Sequence, residues 1–222
     1  MKLSPRLNAI NQLVTQPYTH IWDCCCDHGF LGAHLLLQGM AETVHFVDSV
    51  SSICQQLENK LTRFSPPTQN NTSPHWQVHC ADVASLKLAQ SARQLVIIAG
   101  VGGELSIKLL TGLLEHNAQL DFDIIVCPVH EQFQLRQFLI TRNLKLISEQ
   151  IIEDNQRYYE LLYLSRHAKQ ALTSTGEMWN LRLDAHQRYL DKTIQHYQQR
   201  SRSRPHPALS AYLKIQQNPG IA

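Results

Sequence analysis

The chain has 222 residues, of which 43% are hydrophobic, and a formal net charge of +2 at neutral pH. This length suits one full domain with a smaller appendage, and the apolar content is sufficient for a hydrophobic core. No apolar run approaches the roughly 20 residues of a membrane-spanning helix, and the N-terminal residues lack the apolar stretch of a signal peptide. We therefore expect a cytoplasmic protein without membrane contact.

The six cysteines favour a reducing compartment. They lie mostly in or beside predicted strands, which is typical of small buried hydrophobic residues. Consecutive Cys24, Cys25 and Cys26 cannot all face one metal, because neighbours along an extended chain point to opposite sides, and no C-x-x-C pair occurs. The sequence predicts no disulfide framework and no metal site.

The first element is a predicted helix over residues 4–14, with Ser4 as N-cap and Pro5 at the first helical position. A polar, proline-containing loop is predicted over residues 65–75. The other predicted elements are strand 18–23, helix 30–39, strand 43–48, helix 50–64, strands 76–82 and 93–100, helix 103–116, strand 122–128, helix 130–142 and strands 145–154 and 157–165. The last two strands predict a hairpin around Asn155. The pattern indicates an α/β Rossmann-like fold with a mainly parallel twisted sheet that ends in a β-hairpin.

A helical region follows the predicted sheet. Leu183, His186, Leu190 and Tyr197 recur at helical spacing, residues 200–207 interrupt the pattern, and residues 208–217 predict a second helix. Residues 1–164 carry 11 basic and 15 acidic side chains, whereas residues 165–222 carry 9 and 3. We therefore divide the chain into a sheet domain, 1–164, and a basic helical C-terminal region, 165–222. Such a basic region is typical of nucleic-acid binding, although a solvated helical face is an equal alternative.

Acidic residues follow three successive predicted strands. Asp23 and Asp27 come after the first, Asp48 after the second and Asp82 after the third. The carboxyl ends of parallel strands line one crevice, where Asp48 would accept hydrogen bonds from a ribose and Asp82 from an adenine amine, with Ala81 along the ring. Each aspartate alone also suits a helix N-cap.

The loop after the first strand lacks the G-x-G-x-x-G pattern of dinucleotide sites, because only Gly29 and Gly32 occur. The array of acids with this loop favours an adenosine ligand without a pyrophosphate. After the fourth strand, Gly100, Gly102 and Gly103 permit either a close approach to a ligand or a tight turn.

Seven segments carry a resemblance to a known family. They are LSPRL, DCCCDHGFLG, HFVD, CADV, IAGVGGEL, LRQFL and YYELL. Their order and spacing resemble those of the bacterial tRNA (adenine(22)-N1)-methyltransferase family, a class I group that uses S-adenosyl-L-methionine, over roughly residues 3–164. The resemblance implies that the chain uses this cofactor to methylate N1 of an adenine in tRNA.

The resemblance also implies the roles of individual residues. Asp23, Asp27, His28 and Gly29 match the first cofactor loop of the family, Asp48 its ribose-binding acid, Asp82 the acid beside the cofactor adenine, and Gly100, Gly102 and Gly103 the loop after the fourth strand. From the residues themselves we expect Cys25 and Ala81 to border the same ligand. The predicted cofactor-binding residues are therefore Asp23, Cys25, Gly29, Asp48, Ala81, Asp82 and Gly100. Arg6 matches a basic residue near the active-site mouth, and we expect it to bind RNA together with Lys192, Arg200, Arg202 and Arg204 of the C-terminal region.

The catalytic candidates are Asp27 and His28. Adenine N1 attacks a sulfonium methyl through its lone pair without first losing a proton, so alignment matters more than basicity. An aspartate that accepts a hydrogen bond from the adenine N6 would orient the ring and stabilise its developing positive charge. We expect Asp27 to do this and His28 to support its geometry.

The sequence leaves two alternative functions open. The resembling family usually has glycine at the position of Cys25 and an aromatic hydroxyl at that of Phe30, and these departures leave open a non-catalytic RNA-binding protein that retains the methyltransferase fold. An NAD-linked oxidoreductase is disfavoured by the missing glycine pattern.

Overall fold

The computed structural model describes residues 2–64, 75–90, 92–202 and 205–217. The loop predicted over residues 65–75 lies almost wholly outside the described residues, and so does Arg204. The elements are α1 Pro5–Leu13, β1 Tyr18–Cys24, α2 Phe30–Leu37, β2 Ala41–Asp48, α3 Ser51–Phe64, β3 His75–Cys80, a 3-10 turn Val83–Ser85, β4 Gln94–Ala99, α4 Gly103–His116, β5 Asp123–Cys127, α5 Gln132–Thr141, β6 Lys145–Asp154, β7 Arg157–Ser165, α6 Asp184–Arg200 and α7 Pro207–Gln217.

Local sequence signals account for the element boundaries. Ser4 caps α1 by accepting a hydrogen bond from the backbone N–H of Leu7, with Pro5 at the first helical position. The turn between β6 and β7 has positive φ at both Asn155 and Gln156, 51° and 61°. Positive φ at both central residues is the requirement of the tight hairpin turn that matches strand twist. The predicted helix start and hairpin are therefore confirmed.

The seven strands form one sheet in the order β3-β2-β1-β4-β5-β7-β6. Strands β1 to β5 pair in parallel, and β7 is antiparallel to both of its neighbours. This confirms the predicted parallel sheet with one antiparallel strand inserted near its end. The strand order reverses between β1 and β4, and in such sheets a ligand crevice opens at the carboxyl ends of the strands beside that switch point.

Both faces of the sheet are covered by helices, so the central strands are apolar on both sides. Along β4, Val96 and Ile98 belong to one core cluster, whereas Leu95 and Ile97 belong to the other. Every one of these four side chains is fully buried. Alternate side chains of β4 thus belong to the core layers on the two faces of the sheet. This packing fixes the position of the carboxyl end of β4 beside that of β1.

The C-terminal helices pack on the antiparallel end of the sheet domain. A third core cluster joins Phe133 of α5 and Tyr158 of β7 to Trp179 and to buried residues of α6 and α7, among them Tyr189 and Tyr212. Its rings lie 5.4–6.2 Å apart in stacked, tilted and edge-on pairs, distances at which aromatic pairs attract each other. The helical region is therefore anchored to α5 and the hairpin.

A buried ionic network reinforces this junction. The Arg136 guanidinium of α5 is completely buried and lies 2.6 Å from carboxylate oxygens of both Glu149 and Glu160. It also donates to the Thr173 carbonyl, while Tyr189 of α6 donates to Glu160. Burial lowers the pKa of Arg136, but the two carboxylates outweigh this effect and raise it, so the guanidinium stays charged between its two partners.

Across the described ranges, no helix combines the length and apolarity that a membrane crossing requires. Within the same residues, no cluster of three or more histidine, cysteine or acidic side chains is arranged to hold a metal ion.

Candidate active site

The loop that follows β1 has an unusual backbone. Left-handed φ values alternate along it, at Cys25 (56°), Asp27 (47°) and Gly29 (66°). Residues with a Cβ rarely adopt this conformation, which costs about 1–2 kcal/mol each relative to glycine. The loop closes on itself because the N–H of Gly29 donates to the carbonyl of Cys26, and the N–H of Cys26 donates to Val47 of β2. Two strained residues are thus held beside the end of β2.

Asp23 connects β1 with α2 from within the core. Its side chain is buried and accepts a hydrogen bond of 2.8 Å from the backbone N–H of Gly32. A Cβ at Gly32 would lie 2.4 Å from the Phe46 ring and 2.9 Å from the same carboxylate oxygen, which explains the glycine there. Burial raises the pKa of Asp23 to about 7, although the Gly32 hydrogen bond lowers it. Asp23 therefore positions the first turn of α2 from beneath the loop.

Asp48 organises the carboxyl end of β2. Its carboxylate accepts from the N–H of Asp27 at 3.3 Å and from the N–H of Val50 at 3.0 Å, and its carbonyl accepts from the N–H of Ala81. A carboxylate has about four lone-pair sites, so two bonds leave capacity for a ligand. The residue thereby ties the ends of β1, β2 and β3 together.

The Cys25 thiol lies close enough to the predicted aspartates to be affected by their negative charges. Burial raises its pKa to about 11, and the negative charges of Asp48, Asp23 and Asp82 contribute to the same shift. The structure therefore brings together the acids that the sequence places at three strand ends. The result is a crevice edge with negative potential, which favours a cationic ligand.

Asp82 acts as an N-cap, which was the alternative to ligand binding for each aspartate in the sequence. Its side chain accepts a hydrogen bond of 2.9 Å from the N–H of Ala84 and so caps the 3-10 turn after β3. The residue is exposed, and the remaining lone pairs of its carboxylate stay available beside Ala81. Capping and ligand binding are compatible at this position.

The two catalytic candidates are exposed on the rim of the loop. The side chains of Asp27 and His28 are 66% and 67% exposed, and their closest oxygen and nitrogen atoms lie 3.9 Å apart, which is beyond hydrogen-bond distance. Lys60 of α3 stabilises the loop from outside, since its ammonium donates to the His28 carbonyl and lies 4.4 Å from the centre of the Phe30 ring. No pattern in the sequence indicates this role for the lysine.

The three glycines after β4 have different roles. Gly100 has a left-handed φ of 85°, and a Cβ there would meet only an Arg6 nitrogen, at 3.8 Å. A Cβ at Gly102 would lie 2.2 Å from the His130 ring, and one at Gly103 would lie 2.5 Å from the Glu131 carbonyl. Gly100 therefore leaves open space at the crevice, whereas the other two permit close packing against the loop that follows β5.

Arg6 lies at the ends of β4 and β5, beside Gly100. Its guanidinium is 4.7 Å from the centre of the Tyr159 ring, and its backbone N–H donates to Asp154. The Arg6 Nε is buried and has no hydrogen-bond partner among the described residues. Burial raises the pKa of the Cys127 thiol to about 12, and the Arg6 charge opposes this shift. The Arg6 guanidinium therefore lies beside Gly100, and its role in RNA binding stays a prediction.

The three C-terminal candidates that the structure describes have different surroundings. Lys192 lies 5.0 Å from the centre of the Tyr158 ring, but Arg200 lies 3.8 Å from a Glu131 carboxylate oxygen, while Arg202 is exposed beyond the end of α6. Arg188 donates to the Tyr158 hydroxyl and was not predicted, although it precedes Lys192 by one helical turn. A spacing of four residues on a helix was the available signal.

A known family model matches the sheet domain. The model of the methyltransferase domain covers residues 3–162, a range that includes all seven strands of the sheet almost to the end of β7. A comparison with curated protein sequences gives no match.

Several solved structures resemble almost the whole chain. Streptococcus pneumoniae Sp1610 in complex with S-adenosyl-L-methionine has a TM-score of 0.75 and 18% identity, over 98% of this chain and 100% of that one. The B. subtilis M1A22 tRNA methyltransferase TrmK has a TM-score of 0.71 and 17% identity, over 99% and 97%. M. capricolum TrmK in complex with S-adenosyl-homocysteine has a TM-score of 0.70 and 18% identity, over 100% and 96%. At these identities the likeness establishes a shared fold.

Proposed function

Because this chain belongs to the methyltransferase domain family, we propose that it transfers the methyl group of S-adenosyl-L-methionine to N1 of an adenine in tRNA. The observation that carries the proposal is the convergence of Asp48, Asp82 and Cys25 at the ends of the first three strands, with the open Gly100 on the neighbouring strand. Two of the similar structures contain S-adenosyl-L-methionine or S-adenosyl-homocysteine, which supports the choice of ligand.

The residues of the crevice suit this cofactor in charge and in hydrogen-bonding capacity. Asp48 has lone pairs left for the ribose hydroxyls, and Asp82 with Ala81 would border the adenine. Cys25, Gly29 and Gly100 would surround the methionine part, whose ammonium and sulfonium groups suit the negative potential of the three acids. Asp23 would act from below by fixing α2. The cofactor supplies an electrophilic methyl group on a positively charged sulfur.

The chain contributes alignment and charge stabilisation to the transfer. The bond between sulfur and methyl breaks as a bond between the methyl carbon and adenine N1 forms, so the positive charge moves from the sulfur to the adenine ring. No proton has to leave N1 first. Asp27, exposed on the rim, would accept a hydrogen bond from the adenine N6 and stabilise this charge. His28 would restrain Asp27, and Arg6 would bind an RNA phosphate at the crevice mouth.

The C-terminal region would hold the RNA. We assign catalysis to residues 1–164 and most of the RNA binding to residues 165–222, where Lys192, Arg200, Arg202 and Arg204 are the candidates from the sequence. Arg6 is the RNA-binding candidate of the sheet domain. The likeness to the B. subtilis tRNA methyltransferase covers 99% of this chain and so includes α6 and α7, which supports tRNA as the substrate. No observation favours the non-catalytic alternative.

A binding experiment tests the cofactor site. Calorimetry with S-adenosyl-L-methionine is expected to give binding to the wild-type protein and a loss of at least tenfold in Asp48→Ala. Glu42→Ala is the matched control, since Glu42 is exposed at the opposite end of β2. An Asp48→Ala variant that binds as tightly as the wild type would remove the proposed site.

A further inference from the structure

A second cavity lies beside the proposed active site, between the sheet domain and the C-terminal helices. It has a volume of about 310 Å³ and is lined by residues 129–132 after β5, by the end of the β6–β7 turn, by α6 and by Tyr212 of α7. Ligand pockets for small molecules begin at about this size. The cavity is large enough for one nucleotide and is outside the crevice assigned to the cofactor.

The same loop borders both sites. The N–H of Val129 donates to the Val101 carbonyl, and the N–H of Gly103 donates to the His130 carbonyl, so residues 129–130 are bonded to the loop after β4. Val129 and His130 also line the cavity. A ligand in the cavity would therefore be separated from the proposed methyl-transfer crevice by one loop only.

Basic side chains surround the cavity. Arg157 and Lys192 line it, and Arg188 donates a hydrogen bond to the hydroxyl of Tyr158, another lining residue. Lys192 lies over the face of the same Tyr158 ring at 5.0 Å. Cations converging from the hairpin and from α6 are suited to a phosphate group.

Glu131 provides an unsatisfied acceptor in this basic setting. Among the described lining residues it carries the only carboxylate, and its Oε2 is buried without a hydrogen-bond partner in the described part of the chain. Arg200 and His130 approach its two oxygens at 3.8 and 3.9 Å, which is too far for hydrogen bonds. Glu131 also has a left-handed φ of 61° and does not cap α5 through its side chain. The Glu131 side chain is 19% exposed, and this accessible part of the carboxylate can accept a hydrogen bond from a ligand in the cavity.

We propose that this cavity binds one nucleotide of the RNA substrate and selects a base that carries an exocyclic amine. The amine donates to Glu131, and the phosphate is bound by Arg157 and Lys192. Uracil has a carbonyl in place of the amine, and two acceptors facing each other repel. The inference rests on the proposed function for its choice of RNA, and it adds a selective subsite that one loop separates from the crevice of the methylated adenine.

Mononucleotide titrations test the cavity without requiring catalysis. Cytidine 5′-monophosphate and uridine 5′-monophosphate are titrated into the full chain by NMR, with S-adenosyl-homocysteine present to fill the cofactor crevice. We expect cytidine monophosphate to bind at least fivefold more tightly. Glu131→Gln removes this preference, because an amide both donates and accepts, and Lys192→Gln weakens both ligands. Lys214→Gln on α7 is the control, since Lys214 does not line the cavity.

A kinetic experiment then links the cavity to RNA. Glu131→Gln and Lys192→Gln are expected to raise KM for tRNA at least fivefold, with unchanged affinity for S-adenosyl-L-methionine and unchanged circular dichroism. Equal binding of the two mononucleotides to the wild type, absence of binding, or a preference that persists in Glu131→Gln would overturn the inference. If the wild type methylates no RNA, the proposed function fails, whereas the titrations still decide whether the cavity is a nucleotide site.

Discussion

The buried network around Arg136 gives a stability prediction whose size follows from the structure. Arg136 is completely buried between Glu160, which is also fully buried, and Glu149, which is 6% exposed on its side chain. Replacing Arg136 with methionine leaves two carboxylates in the core without their cation. Removal of one partner of a buried ion pair typically costs about 3–5 kcal/mol. The total stability of a domain is about 5–15 kcal/mol, so the variant should unfold at much lower urea concentration.

A compensated variant separates the charge effect from packing. Arg136→Met combined with Glu149→Gln and Glu160→Gln leaves no unpaired charge, and the amide oxygens still accept from Glu177 and Tyr189. Urea unfolding should therefore show the triple variant to be more stable than the single one. A single variant that loses less than about 1 kcal/mol of unfolding free energy, or a triple variant that is no more stable, would refute the reasoning.

Three further predictions concern the site, the pH dependence and the RNA. Asp27→Ala should lower the rate of methyl transfer at least a hundredfold, while calorimetry should give an affinity for S-adenosyl-L-methionine within a few-fold of the wild-type value. A loss of cofactor affinity as large as the loss of rate would place Asp27 in the cofactor site. The pKa of Asp23 is about 7 in the folded protein and about 3.9 in the unfolded chain. The folded state therefore holds the Asp23 proton more tightly, and the stability that this proton contributes is fully present below pH 4 and is lost as the pH rises to 7. The difference in unfolding free energy between the wild type and Asp23→Asn should change over this interval and level off above it, whereas a constant difference would contradict the burial of a titrating carboxyl. Arg188→Gln combined with Lys192→Gln should reduce the slope of tRNA affinity against salt concentration by roughly 0.7–0.9 for each phosphate that the variant no longer binds. The reduction should exceed that of Arg200→Gln, because Arg200 lies close to Glu131. Equal slopes for the two variants would show that Arg188 and Lys192, beside Tyr158, do not bind phosphates.

The periodicity of apolar residues in the sequence was sufficient to predict the helices and strands and their order along the chain. In α3 the buried residues Cys54, Leu57 and Leu61 follow helical spacing, and the continuous apolar run of β4 predicts a strand covered on both faces. The meeting of Asp48 with Asp82 was also predictable, because parallel strands end at one edge of the sheet. These features depend on local pattern and on topology alone.

The remaining features depend on contacts between distant parts of the chain. Gly102 and Gly103 permit packing against His130 and Glu131, and no local pattern specifies which loop lies opposite. Arg200 lies 3.8 Å from a carboxylate oxygen of Glu131, 69 positions earlier in the sequence, and no count of charges along the chain indicates this pairing.

The left-handed backbone conformation of Cys25 could not be predicted from the sequence either, because neither a cysteine nor its sequence neighbours require it. Its φ of 56° becomes evident only when the loop closes against β2. The strain at this position is consistent with a loop shaped for a ligand.

Mapping of the modified nucleotide tests the central claim most directly. Unmodified tRNA is incubated with the full chain and S-adenosyl-L-methionine carrying a labelled methyl group, and the nucleosides are identified by mass spectrometry. The account predicts labelled 1-methyladenosine with the wild type and with Glu42→Ala, and at least a tenfold lower yield with Asp48→Ala at limiting cofactor. Cofactor binding without any methyl transfer to tRNA, or a methyl group found on another atom or another class of acceptor, would contradict it.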